Sequence, residues 1–162
     1  MKKQLKVFAL TLVISLVFGS SVFALDAMKK GVEAGKWTQD LKAATQYAKD
    51  NNLPMMLMFT GSDWCYWCKL MEKSVFSGNK FFAWAKDHLV LVAIDFPRDK
   101  TKVPTEFQER NQKLGREFQV RGVPTYVILK SDGKTELGRL SAGRNKTPES
   151  FIREVEDILK KK

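Results

Sequence analysis

The sequence predicts an α/β chain with a central mixed β-sheet flanked by helices, and three observations carry that expectation. Met55-Met-Leu-Met-Phe-Thr60 and Leu89-Val-Leu-Val-Ala-Ile-Asp95 are short apolar runs with helical patterning between them, as parallel strands covered on both faces would be. Val120–Lys130 and Thr135–Leu140 read as a loop entering a strand and a second strand, joined at the hairpin signal Ser131-Asp-Gly133. Thr147-Pro148-Glu149 supplies a cap, a first-position proline and a first-turn acid, so a helix closes the chain. A β-α-β unit followed by a hairpin and a helix gives a sheet of mixed direction. At 162 residues and 44% hydrophobic content, the chain is one domain's worth and can bury a core.

Lys2 and Lys3 precede Val7–Phe18, which is apolar apart from Thr11 and Ser15, and Val22-Phe-Ala24 offers small or medium residues for cleavage. That is the pattern of a secretory signal over 1–24, leaving a domain over 25–162. The apolar run is too short for a comfortable bilayer span. A polar lead-in, Leu25–Lys36, runs into a short strand near Lys36-Trp37. Thr38 is placed to cap a helix to about Asn51, with Leu41, Ala44 and Ala48 on one face. The helix from Cys65 should break near Ser77-Gly78-Asn79. A second piece, Lys80–His88, would bury Phe81, Phe82 and Trp84. Phe96–Pro104 reads as a charged loop and Thr105–Phe118 as an amphipathic helix. Phe151, Ile152, Val155 and Leu159 form the apolar face of the last helix.

The formal charge is +10, and +7 without Lys2, Lys3 and Lys6. The basic residues are interleaved with acids, and only Lys160–Lys162 form a run at the end, so a solvated surface is the reading and nucleic acid is not an expected partner.

Cys65 and Cys68 are the only cysteines, in the stretch Gly61-Ser-Asp-Trp-Cys-Tyr-Trp-Cys-Lys69. Following a strand and opening a helix, Cys65 meets free amide N–H groups and the positive end of the helix dipole, which favour thiolate. Cys68 is one turn on, on the same face. The pair suits attack on a foreign disulfide followed by resolution of the mixed species. A bridge between them closes too small a loop to staple the fold, so redox chemistry is the stronger reading. Zinc would need two further ligands, and His88 is the only histidine, which also leaves cysteine hydrolase chemistry without a base.

Trp64-Cys65-Tyr66-Trp67-Cys68-Lys69 resembles the W-C-x-x-C-K active site of the thioredoxin superfamily, and Val120-Arg-Gly-Val-Pro-Thr125 resembles its loop before the cis-proline. The Phe-Thr-Gly-Ser-Asp-Trp-Cys opening and the helical insert Phe96–Glu117 before the cis-proline strand are most similar to exported bacterial members of the DsbH type of periplasmic disulfide reductase. The resemblance implies a thioredoxin-like fold with Cys65 as nucleophile, Cys68 as resolving thiol and Pro124 in cis. It also implies that Val123 offers its backbone to an extended substrate strand, with Gly143 lining the same groove. No metal and no cofactor beyond the Cys65–Cys68 disulfide is implied. The implied partners are exported proteins with disulfides and a membrane thiol donor of the DsbD kind, with the chain itself a monomer.

Two departures stand out. The superfamily's buried aspartate before the nucleophile is Phe59 here, and its lysine partner is Leu91. Asp63 is a stand-in acid or a cap at the start of the helix. The dipeptide Tyr66-Trp67 carries no cation to stabilise the thiolate, which points to a reductase. Trp64, Tyr66 and Trp67 read as an aromatic surface around an exposed sulfur, for docking extended chains; simple packing is the alternative for Trp64. An oxidase or isomerase with the same dithiol, or a non-catalytic binder of unfolded exported chains, would share these motifs.

Overall fold

The computed structural model describes residues 27–161; the expected signal segment lies outside the described residues. The elements are β1 Trp37–Thr38, α1 Leu41–Asp50, β2 Met55–Thr60 and α2 Tyr66–Met71, then a π-helical turn Glu72–Phe76 and α3 Asn79–Ala85. After them come β3 Val90–Asp95, a 3-10 turn Lys100–Lys102, α4 Thr105–Glu117, β4 Thr125–Leu129, β5 Glu136–Ser141 and α5 Pro148–Lys160. The sheet order is β1-β3-β2-β4-β5. β1 and β2 run parallel to β3, while β4 is antiparallel to β2 and to β5. This is the mixed sheet flanked by helices that the apolar runs and the hairpin signal predict.

Strand alternation sorts the two cores. On β2, Met56 and Met58 join Trp37, Phe76, Phe81, Tyr126 and Phe151 on one side of the sheet. Met55, Leu57 and Phe59 join Ala44, Ala48, Val92 and Val127 on the other. Phe59, where the superfamily places its acid, stacks on Phe96 with ring centroids 6.4 Å apart and meets Phe118 at 5.9 Å. An apolar aromatic stack therefore replaces the buried carboxylate.

Several local expectations are corrected. Asp40, not Thr38, caps α1, accepting from Ala43 N at 3.0 Å. Thr38 is buried in β1, and its hydroxyl donates to the carbonyl of Gly31 at 2.6 Å. The second helical piece ends at Ala85, short of His88. Its buried face is Phe81 and Ala85, and Phe82 and Trp84 are only partly covered. The closing helix starts as predicted, with Thr147 as its cap and Pro148 in the first turn, and Ser150 completes a capping box with Thr147 that the sequence reading did not include. The insert helix α4 buries one residue, Asn111, whose amide donates to the carbonyl of Asp95 at 2.9 Å and ties the insert to the end of β3.

Candidate active site

β2 ends at Thr60, and the next five residues carry the chain over the sheet edge into α2. Cys65 is the N-cap of α2, with extended φ/ψ, so its side chain stands at the helix's amino end. Its own N–H donates to the carbonyl of Gly61 at 2.9 Å, and the N–H of Cys68 points at its sulfur at 3.1 Å. Cys65 and Cys68 are bonded, with Cα atoms 5.3 Å apart. Unpaired helix N–H groups and the dipole act on that sulfur and favour its anion once the bond opens.

The strand-entry loop closes over the pair. The Val123–Pro124 peptide is cis, and the Val123 carbonyl oxygen lies 3.5 Å from Cys65 Sγ. Sequence positions 58 apart thus meet within one contact. Cys65 is only 5% exposed, which corrects the expectation of an exposed sulfur. The bond to Cys68 and the apposed Val123 loop cover it.

The three aromatic residues differ in role. Trp64 donates Nε1–H to the carbonyl of Phe96 at 2.7 Å, and its ring lies on Gly61, where a Cβ would come within 2.4 Å of the indole. Trp64 is thus held in place, although 42% exposed. Tyr66 is 71% exposed and meets Trp67 edge to face, with centroids 5.6 Å apart. Trp67, Val123, Pro124 and Gly143 line one shallow depression, so the cis-proline loop and Gly143 do share a groove.

The acids fall elsewhere than sequence spacing suggests. Asp63 caps neither helix nor thiol: its carboxylate accepts from Asp99 N at 2.8 Å and Arg98 N at 3.0 Å, bonds that hold its pKa below the usual range. Lys69 donates to the Asp63 carbonyl at 2.8 Å from an exposed position. Asp95, at the end of β3, accepts from Ser62 N at 2.9 Å and Ser62 Oγ at 2.6 Å. Burial pushes its carboxyl up, against the pull of those two bonds.

Behind the dithiol lies a cavity of about 360 Å³ whose walls include Cys68, Glu72, Trp37, Ser62 and Phe76. Glu72, half-buried and one turn after Cys68, has its carboxyl pushed up chiefly by desolvation. Trp37 Nε1 is buried in this wall without a partner among the described residues. Sequence reading passed over Glu72, although its i,i+4 spacing from Cys68 places both on one helix face. His88 stacks on Trp84 at the end of α3, outside the walls of the groove and cavity. Among the described residues no group of three or more His, Cys, Asp or Glu is placed to hold a metal.

A disulfide across the first turn of a helix, next to a cis-proline loop on a mixed five-stranded sheet, defines a dithiol protein of thioredoxin architecture. The chain belongs to the thioredoxin-like domain family, whose profile matches residues 41–158. It is 37% identical over 97 residues to a Chlamydia pneumoniae protein named disulfide bond reductase DsbH, covering 60% of this chain and 57% of that protein. It is 29% identical over 146 residues to the thioredoxin-related protein DsbJ of the same organism, covering 90% of this chain and 40% of that one. The chain thus spans roughly half the length of these two relatives. Among solved structures, DsbH oxidoreductase superposes with a TM-score of 0.70 at 26% identity, over 99% of this chain and 95% of that one.

Proposed function

We propose that the protein is a thiol-disulfide oxidoreductase of the periplasm that acts mainly as a reductase of disulfides in exported proteins, with residues 25–162 as the working domain after removal of a signal at 1–24. The observation that carries the reading is Cys65 Sγ at the amino end of α2 and 3.5 Å from the Val123 carbonyl. The reduced Cys65 thiolate attacks one sulfur of a substrate disulfide. A Cys65–substrate bond forms, the substrate S–S bond breaks, and the leaving thiolate takes a proton. Cys68, deprotonated, then attacks Cys65 Sγ, releasing the second substrate thiol and regenerating the Cys65–Cys68 disulfide. Two electrons pass from the dithiol to the substrate. The substrate strand lies along Val123 and Pro124, with Trp64, Tyr66 and Trp67 as its apolar rim.

Direction rests on the dipeptide. Neither Tyr66 nor Trp67 supplies a cation to hold the reduced form, which favours a low potential. A membrane thiol relay of the DsbD kind would return the electrons, with no cofactor beyond the disulfide, and the chain would work as a monomer. The relatives named DsbH and DsbJ support this class. Insulin reduction by dithiothreitol should be accelerated by the wild type and not by Cys65→Ser; undiminished activity in that variant rules the site out. Equilibration with glutathione reads the direction. A potential closer to about −120 mV than to about −270 mV makes the protein an oxidase instead.

A further inference from the structure

Cations that are scattered along the sequence meet at the groove. Three surface depressions radiate from Val123, the residue that touches Cys65. Their charged walls comprise Arg116, Arg121, Arg139, Arg144 and Lys146 against a single acid, Glu154. Two of these cations are already engaged: Arg139 pairs with Glu136 at 2.6 Å, and Lys146 pairs with Glu154. Arg116, Arg121 and Arg144 are exposed and have no ion pair among the described residues. The three come from different places: α4, the loop before Pro124, and the segment after β5. Arg116 and Arg121 share one depression and Arg144 lines another, both depressions reaching Val123, with the Arg144 guanidinium 5.5 Å from the centre of the Trp67 ring.

An extended chain docked along Val123 must cross this field on either side of its cysteine. We propose that the groove selects disulfides whose cysteine is flanked by aspartate or glutamate, with Arg116, Arg121 and Arg144 as the residues that set the preference. This rests on the dithiol reading above and names its substrate class. Guanidinium groups suit the role because each can bind a carboxylate through two N–H donors. The field also raises the rate of encounter with acidic chains and is screened by salt. Charges this exposed favour a partner weakly one at a time, so the preference comes from the set of three.

The test uses three synthetic peptides, each with one disulfide and flanking Asp/Glu, Gln or Lys residues. Reduction by the full dithiol protein is followed at about 20 mM and about 500 mM salt, concentrations that bracket the screening length of the field. Acidic peptide should exceed the Gln peptide in kcat/KM by roughly tenfold at low salt, with the Lys peptide slowest and the ranking flattened at high salt. The variant Arg116→Gln/Arg121→Gln/Arg144→Gln, checked for an unchanged unfolding temperature, should lose the ranking; Arg121→Glu should turn it toward the Lys peptide. Equal rates for the three peptides, or a ranking that survives the triple substitution, overturns the proposal. Anisotropy of a fluorescein-labelled acidic peptide without cysteine reads the same preference without chemistry, and 2-hydroxyethyl disulfide, which is neutral, reads the chemistry without the preference. Salt-sensitive binding of the acidic peptide by a chain that reduces neither disulfide would support the surface and refute the dithiol reading. Reduction of the neutral disulfide with no charge preference in binding would refute the surface alone.

Discussion

Replacing Phe76 by alanine should remove the anchor that fixes the dithiol helix to the sheet. Phe76 ends the π-helical turn after α2, and that turn brings the consecutive residues Val75 and Phe76 both into the core. Its ring is 7% exposed and meets Trp37, Phe81, Phe82, Tyr126 and Phe151 at centroid distances of 5.7, 4.9, 6.4, 5.8 and 5.5 Å. Phenylalanine-to-alanine changes in cores cost about 3–5 kcal/mol. Aromatic pairs add about 0.5–1.5 kcal/mol each beyond buried area, so five partners place this site at the upper part of that range, about 4–5 kcal/mol. For a chain of this size that lowers the unfolding midpoint by roughly 10–15 °C. Urea unfolding followed by far-ultraviolet circular dichroism measures it, with an unchanged slope showing that only stability has moved. Phe82→Ala, at a partly buried ring in contact with Phe76 and Phe81, should cost about half as much. A loss below about 1 kcal/mol for Phe76→Ala would mean that the aromatic cluster does not hold the helix, and the account of how the dithiol is positioned would be wrong.

Glu72→Gln should stabilise the protein at neutral pH. Burial raises the folded-state pKa of Glu72, so wild type loses stability as pH rises from the unfolded value of 4.5 through the folded one. The glutamine variant does not, so the two unfolding temperatures should agree below about pH 4 and diverge above pH 6; a lower midpoint for the variant at pH 7 would contradict this. Ser62→Ala removes the 2.6 Å bond to Asp95 and leaves a buried carboxylate oxygen short of a donor, at a cost of about 1–3 kcal/mol at pH 7. That cost should shrink as acid protonates Asp95; a loss independent of pH would place the effect in packing rather than charge.

The mixed sheet, its helices and the C-x-x-C at a helix start were legible because each depends on local patterning. Six buried positions in a row on β2 and β3 follow from unbroken apolar runs. The Thr147–Pro148 start of α5 follows from cap chemistry. Errors fell where two residues competed for one local job, as with Thr38 and Asp40 at the start of α1. They fell also where a side chain chose a distant backbone partner, as Asp63 chose Arg98 and Asp99.

The residues alone determined that two sulfurs sit a turn apart at the opening of a helix, because that spacing and the strand before it are read along the chain. Only the folded chain decided what surrounds them: the Val123 carbonyl against Cys65, the cavity wall that sets Trp37 beside Cys68, and Arg116 and Arg144 at depressions that share Val123. Those neighbours lie tens of residues apart in sequence. No local rule joins them; the register of β4 against β2 and the packing of α4 over β3 bring them together.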